Sequence, residues 1–516
     1  MEEQIKRLRE IKKKAFLGGG DVKIAKQHEK GKLTARERIE RLLDAGSFVE
    51  TDMLARYEDG APGDGLVAGY GMIEGRLVSL YAQDCTVMGG SIGEIHQRKM
   101  AETIERALDM GVPFIGLDDS PGARVAMGRP EDGSKLVAET SPVTVFFPNT
   151  QASGAVPQIS AILGACAGIS VYSPALTDFV FMVDGISQMF ITGPRVVKSV
   201  THEDISMEQL GGARVHCQIS GVADFRTKSE DECFQMIRKL LGFLPPNNKE
   251  APPVIGTGDD ANRMDDTLAQ IVPTDPGKSY DMHRVISRLV DNGDFFEVKA
   301  EFAREIIVGF GRLDGYTVGI VANQPMVLAG CLTVDSSDKQ ARFIRFCDAF
   351  NIPLVLLVDT PAYLPGTRQE QTGIIRHGAK VIYALCESIV PRIAVVLRKC
   401  YGGGNLGMGV RPGMGTDFVF AWPIAEIGVM GAEQSVELLY GDEIKDAENP
   451  EEFRKQKVTE YRNEYANPLK VASDAKHTLR DIIEPRETRR VLITTLRLLR
   501  GKSQTRYPKR HGNIPL

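Results

Sequence analysis

Val112-Pro113-Phe114-Ile115-Gly116-Leu117-Asp118-Asp119-Ser120-Pro121 and Ile352-Pro353-Leu354-Val355-Leu356-Leu357-Val358-Asp359-Thr360-Pro361 lie 240 positions apart and read as one element twice over: an apolar run, an acidic end, a proline turn. The same offset places Gly71-Met72-Ile73-Glu74-Gly75-Arg76-Leu77-Val78 opposite Gly311-Arg312-Leu313-Asp314-Gly315-Tyr316-Thr317-Val318. Farther along, the offset drifts as loop lengths change. Cys166-Ala167-Gly168 matches Cys400-Tyr401-Gly402, and Thr177-Asp178-Phe179-Val180-Phe181 recurs letter for letter at 416–420. Ile191-Thr192-Gly193-Pro194 then falls opposite Val429-Met430-Gly431-Ala432. A single acidic-proline turn recurs by chance; five matches in one order do not. The chain therefore reads as two homologous halves, divided in the Pro/Gly/Asp-rich stretch from Pro245 to Pro276, with expected domains at 1–255 and 256–516.

Each half reads as α/β. Phe114-Ile115-Gly116-Leu117 and Leu354-Val355-Leu356-Leu357-Val358 are short apolar runs of buried-strand type, whereas Glu94 to Met110 and Lys339 to Phe350 have helical spacing and charge. Strands alternating with helices predict a wound sheet in each half. The segment up to about Asp44 is charged and helical, with a helix start in Leu33-Thr34-Ala35-Arg36-Glu37-Arg38. The tail from about Pro485 carries Val491, Leu492, Ile493, Leu496, Leu498 and Leu499 and reads as a packing or assembly helix.

At 516 residues the chain exceeds what one hydrophobic core supports, in line with two domains. Its 63 basic and 68 acidic residues nearly balance, which leaves no electrostatic case for nucleic acid as the main partner. The eight cysteines form no CxxC pair and no zinc-type cluster, so buried free thiols in a reducing cytoplasm are expected. The N-terminus is charged and lacks an apolar signal core. The most membrane-like stretch, Ile162 to Val183, contains Pro174 and Asp178 and reads as a buried strand-turn-strand.

Two strand-to-glycine turns at matching repeat positions are the strongest chemical features: Gly164-Ala165-Cys166-Ala167-Gly168-Ile169-Ser170 and Lys399-Cys400-Tyr401-Gly402-Gly403-Gly404-Asn405. Such glycines either let a helix pack closely on a strand or expose backbone N–H groups that stabilise an oxyanion; each reading is open for each turn. Neither turn is followed by a P-loop Lys-Ser/Thr. Acid–base candidates are weak. His96, His202, His216 and His377 have no metal-ligand partner at close spacing, and His377 reads as structural or phosphate-facing. Asp119 and Asp359, at strand ends, read as turn or capping acceptors. No Gly-x-Ser-x-Gly elbow is present. Abundant glycine amides and scarce bases point to chemistry in which substrate or cofactor brings its own base.

Longer motifs carry a resemblance. They are Lys32-Leu33-Thr34-Ala35-Arg36-Glu37-Arg38, Gly89-Gly90-Ser91, Ala165-Cys166-Ala167-Gly168 with Val171-Tyr172-Ser173-Pro174-Ala175-Leu176-Thr177-Asp178-Phe179, and Phe190-Ile191-Thr192-Gly193-Pro194. In the second half they are Leu364-Pro365-Gly366-Thr367, Gly373 to Lys380, Ala421-Trp422-Pro423, and the ending Lys509-Arg510-His511-Gly512-Asn513-Ile514-Pro515-Leu516. Almost end to end, the chain resembles the carboxyltransferase (beta) subunits of biotin-dependent acyl-CoA carboxylases, the propionyl-CoA carboxylase beta and methylmalonyl-CoA decarboxylase alpha family. That resemblance implies two tandem crotonase-like domains related by internal duplication, the N-terminal one on the acyl-CoA side and the C-terminal one on the biotin side. It implies a cytoplasmic homohexamer with each site between the N-domain of one subunit and the C-domain of another.

By motif, Gly168 and Ile169 would offer N–H groups to the CoA thioester oxyanion, and Gly403 and Gly404 to the ureido carbonyl of biotin, with Gly402 in the same biotin-binding turn. The implied reaction moves the carboxyl group from carboxybiotin to the α-carbon of an acyl-CoA through an enolate. The alternatives are a decarboxylase or transcarboxylase acting on a malonyl-type thioester, or a catalytically reduced acyl-CoA-binding paralogue. No Met-Lys-Met biotinyl motif and no ATP-binding module occur, so biotin and the biotin carboxylase are expected on other chains, with no metal, no nucleic acid and no membrane segment. Several positions depart from the family pattern. Ile169 stands where a second glycine is usual, Pro121 sits in the Asp119-to-Arg124 motif, and Gly404-Asn405 replaces Ala-Tyr. Pro361-Ala362-Tyr363 and Gln371-Thr372 also differ, and the Gly128 to Pro148 region reads as longer than usual. Leu406 falls at the family's substrate-size position, so the acyl group is open.

Overall fold

Two-residue turns with both residues at positive φ match the twist of a hairpin, and the chain has one in each half: Glu74-Gly75 and Asp314-Gly315. They join Leu66–Ile73 to Arg76–Gln83 and Ile306–Leu313 to Tyr316–Asn323. Pairing runs from Leu66↔Gln83 to Ile73↔Arg76 in the first hairpin and from Ile306↔Asn323 to Leu313↔Tyr316 in the second, so every partner keeps the offset of the sequence repeat. The computed structural model describes residues 1–127, 136–138, 142–473 and 478–516. Residues 128–135 and 139–141, within the region expected to be longer than usual, lie outside that set.

The chain forms two compact units, Met1–Glu250 and Ala251–Leu516, dividing five residues before the expected boundary. In the first, strands Val49–Thr51, Leu66–Ile73, Arg76–Gln83, Phe114–Asp118, Gln158–Ile162, Phe179–Val183 and Phe225–Thr227 lie side by side in that order. The first three are antiparallel and the rest parallel. The second unit repeats this order with Phe296–Val298, Ile306–Leu313, Tyr316–Asn323, Leu354–Thr360, Arg392–Tyr401, Phe418–Ala421 and Asp481–Ile482, while Glu426–Gly428 pairs with the far end of Arg392–Tyr401. Strands Phe114–Asp118 and Leu354–Thr360 are buried throughout, as parallel strands covered on both faces must be.

The crossover helices also repeat. Lys99, in helix Glu94–Met110, donates to the carbonyls of Gly63 and Leu66 at 3.0 and 2.5 Å. Lys339, 240 positions later in helix Val334–Ala349, donates to Phe302 and Ile306 at 2.8 and 2.7 Å. That second helix begins five residues before the expected Lys339, because Thr333 and Ser336 form a capping box. Helix Ala35–Leu42 starts where expected, capped by Thr34 and Glu37. The expected strand-turn-strand from Ile162 to Val183 is corrected: helix Tyr172–Leu176 intervenes, with Pro174 in its first turn, where no N–H is needed. In the tail, helix Thr488–Leu499 buries Leu492 and Ile493 in the core of the second unit. Cys166, Cys217, Cys233, Cys331, Cys347 and Cys400 are buried free thiols, Cys85 is half-buried and Cys386 exposed. Among the described residues no helix is long and apolar enough to cross a membrane.

Candidate active site

In the first unit, short strand Ala165–Ala167 runs into a turn at Gly168–Val171 and then into helix Tyr172–Leu176. Gly168 has φ +59°, a conformation that costs L-residues with a Cβ roughly 1–2 kcal/mol. Its N–H donates to the Ile191 carbonyl at 3.1 Å. The expected donor pair is thereby corrected: the Gly168 amide is engaged. The Ile169 amide makes no hydrogen bond among the described residues. Ile169 has negative φ, so the residue type that departs from the family pattern fits its backbone. Its side chain packs against the core containing Val145 and Met100.

The second unit repeats the arrangement. Strand Arg392–Tyr401 ends at Gly402, φ +45°, which starts helix Gly402–Gly407. A Cβ on Gly402 would lie 2.6 Å from the Val429 carbonyl oxygen, the counterpart of Ile191. The amides of Gly403 and Gly404 belong to the first helical turn, which has no intrahelical acceptors for them, and neither makes another hydrogen bond among the described residues. Gly402 and Gly403 line a cleft of about 580 Å³ whose apolar wall includes Pro361, Ala362, Val429 and Met430. Gly404 is buried behind them, where a Cβ would sit 3.0 Å from Thr360 Cγ2. Asn405 is buried and its Oδ1 accepts from Arg411 Nε at 3.3 Å. Leu406 is 38% exposed and borders a second cleft of about 400 Å³ with Gly402, Asn405 and Arg411. An apolar slot with a donor amide at its glycine floor fits a flat ureido ring such as that of biotin.

The backbone behind each turn is held identically. Ile92 N–H donates to Gly122 and accepts at its carbonyl from Arg124, both at 2.8 Å; Leu332 does the same with Ala362 and Leu364 at 3.0 and 2.7 Å. Asp119 and Asp359 are corrected from caps to buried ion-pair centres. Asp119 lies 2.6 Å from Lys32 and 3.0 Å from Arg38, whose Nε meets Glu230 at 2.7 Å. Asp359 accepts from Arg398 Nε at 3.0 Å and from the Lys399 amide at 3.1 Å, and burial raises its carboxyl above the usual range.

Of the histidines singled out above, His96, His216 and His377 are structural. Burial lowers His96 to about 4, so it is a neutral partner of the Asp64 carbonyl and Gln83. His216 meets the Met189 carbonyl at 2.8 Å, and His377 meets Asp338 at 2.7 Å, tying two helices together rather than facing a phosphate. Near the second turn, burial pushes the Tyr363 hydroxyl up to about 12 and the Cys400 thiol to about 12, so neither serves as a base at neutral pH. No metal-binding cluster of His, Cys, Asp and Glu occurs among the described residues. Sequence reasoning missed the Ile191 carbonyl, which selects the free amide, and Lys399, which lines the cleft. The repeat signalled the first, by setting Ile191 opposite Val429.

Two wound sheets of matching strand order, with an unbonded amide after a left-handed glycine in each and no protein base in the turns, have the layout of an enzyme that stabilises oxyanions. The model of the carboxyl transferase domain matches residues 26–514. The carboxyltransferase subunit of propionyl-CoA carboxylase from Haloferax mediterranei is 49% identical, covering 100% of each chain. Methylmalonyl-CoA decarboxylase subunit alpha from Veillonella parvula is 48% identical over 100% of this chain and 99% of its own. A crystal structure of transcarboxylase 12S, described as a hexamer with methylmalonyl-coenzyme A and methylmalonic acid bound, superposes with a TM-score of 0.92 at 46% identity, covering 100% of this chain and 98% of that one. The chain belongs to the carboxyl transferase family. It is a carboxyltransferase subunit of the propionyl-CoA carboxylase and transcarboxylase type, with their crotonase-like α/β fold.

Proposed function

We propose that the chain transfers a carboxyl group between biotin carried on a separate subunit and the α-carbon of an acyl-CoA. The acyl-CoA side is the unit ending at Glu250 and the biotin side the unit beginning at Ala251. The observation that carries this reading is the pair of unbonded amides, Ile169 and Gly403, each following a glycine at positive φ in the same place of the repeat. Carboxybiotin, when bound, supplies the carboxyl group and then a ring nitrogen basic enough to take the acyl α-proton. The Ile169 N–H holds the thioester oxygen as enolate charge builds on it, and the Gly403 N–H holds the ureido oxygen. Each such donor contributes about a hundred- to a thousand-fold in rate. Gly404, being buried, supports the turn, and Leu406 sets the size of acyl group accepted.

Carboxylation and decarboxylation use the same amides, and relatives of nearly equal identity are named for each direction. The partner chains set the direction. A biotin carboxylase with its carrier is the proposed partner, and a homohexamer the proposed assembly, in keeping with the relative described as one. A reduced, non-catalytic role is disfavoured because Ile169 keeps both its donor and an unstrained backbone.

Gly403→Val tests the assignment. A Cβ there would stand 3.1 Å from the Tyr363 ring, so a branched side chain forces the turn that carries the donor amide to shift. Carboxyl transfer from carboxylated biotin should fall at least about a hundredfold while acyl-CoA binding stays unchanged. Equal loss of both contradicts the assignment.

A further inference from the structure

The two acidic residues related by the repeat are neutralised differently. Asp119 and Glu230 together face Lys32 and Arg38, two carboxylates for two cations. Asp359 faces two cations alone: Arg398 at 3.0 Å, and Lys399, whose ammonium stops 4.0 Å away. Arg398 has the short contact, and its Nη1 also donates to the carbonyls of Asp275 and Lys278 at 2.9 and 2.8 Å. Lys399 is only 9% exposed, yet among the described residues its ammonium makes a single hydrogen bond, a 3.5 Å contact to the Pro276 carbonyl. An ammonium carries three donors, and burying one with so little compensation is costly.

The carboxylates nearest along the cleft are already held. Glu426 is the register partner of Lys399 on the neighbouring strand, but it accepts from the Tyr401 hydroxyl at 2.5 Å and meets Arg462 at 3.2 Å. Glu433, in the cleft wall, meets Arg462 at 2.5 Å. Lys399 itself lines that cleft, together with Gly403 and Cys331. It is thus an almost buried cation whose counter-charge among the described residues, Asp359 at 4.0 Å, is shared with the closer Arg398, and it lies beside the amide assigned to the ureido oxygen.

We propose that Lys399 binds the carboxylate in transit on the biotin side, distinguishing the carboxylated ring from the bare one. This rests on the reading of the Gly403 cleft as the biotin side. The bare ureido ring is neutral and brings the ammonium no counter-charge. The carboxylated ring brings an anion that completes the charge of the Asp359, Arg398 and Lys399 group. A charge-assisted hydrogen bond is the strong kind, so its loss is measurable.

The test compares Lys399→Met, which keeps the stem, with Lys399→Arg, which keeps the charge, in the full-length protein. Calorimetry with biotin methyl ester reads affinity for the uncarboxylated ring. Steady-state transfer from N-carboxylated biotin methyl ester to propionyl-CoA reads KM for the carboxylated one. Lys399→Met should raise that KM about tenfold or more and leave the Kd of biotin methyl ester within about twofold, with Lys399→Arg restoring most of the loss. Equal weakening of both ligands, or no change in either, overturns the proposal. If the unaltered protein binds biotin methyl ester with the same Kd as Gly403→Val, the cleft is not the biotin side, and the parent reading falls with it.

Discussion

The Gly168 amide is held by the Ile191 carbonyl at 3.1 Å, so the next amide along, that of Ile169, is the one left to act on a substrate. A family position usually occupied by a second glycine therefore tolerates a branched side chain, because the left-handed φ is confined to Gly168. Ile169→Pro removes the donor together with the side chain's packing on the core, whereas Ile169→Val keeps the donor and trims only the packing. We expect kcat to fall about a hundred- to a thousand-fold with the circular dichroism spectrum unchanged, while Ile169→Val stays within about threefold. Comparable losses in both variants contradict the role of the amide.

Arg38 ties helix Ala35–Leu42 to Asp119 and Glu230, and also donates to the Leu163 carbonyl at 2.8 Å. It is fully buried. Arg38→Met leaves two carboxylates to face Lys32 alone and should destabilise the folded chain by roughly 3–5 kcal/mol, read as a lower denaturant midpoint. A shift corresponding to less than about 1 kcal/mol would mean the cluster is solvated.

These ion pairs mark the limit of what was legible in the sequence. The repeat foretold a wound sheet in each half, while strand order and register came only with the structure, where Gly75 and Gly315 fix both hairpins by local turn chemistry. Helix Ala35–Leu42 was equally local, its capping box spanning four residues. The role of Asp119 depends on partners 81 and 87 residues away, and a strand-end acid followed by proline looks like a turn until those partners are placed. The glycine turns and their donor pairs could be located but not which amide of the first pair is engaged, because the acceptor that occupies Gly168 lies on a separate segment, at Ile191. Helix Tyr172–Leu176 was hidden by Pro174, which reads as a breaker unless the first helical turn is known.

Asp118 carries a pH dependence. Its carboxyl accepts from the Tyr81 hydroxyl at 3.0 Å, its other oxygen has no hydrogen-bond partner among the described residues, and burial pushes it up to about 7. The folded state thus holds the proton more tightly than the unfolded state near 3.8, so this group favours folding at low pH and loses that contribution as pH rises towards 7. The repeat has Val358 at the matching position. Asp118→Asn should raise the melting temperature more at pH 8 than at pH 5; an equal change at both pH values contradicts the shifted carboxyl.

Leu406 borders the smaller cleft while partly exposed, so a change there alters what fits without disturbing the core. Leu406→Asp should shift the ratio of kcat/KM between propionyl-CoA and longer acyl-CoAs by about tenfold or more while leaving Tm within about 2 °C. An unchanged ratio across the acyl series would remove Leu406 from the specificity of the site.

A crystal structure with a bound acyl-CoA tests the central claim most directly. The account predicts the thioester oxygen about 2.7–3.1 Å from the Ile169 nitrogen, with the Gly168 amide still on the Ile191 carbonyl. A thioester oxygen bound elsewhere, with the Ile169 amide turned into the protein, would contradict it.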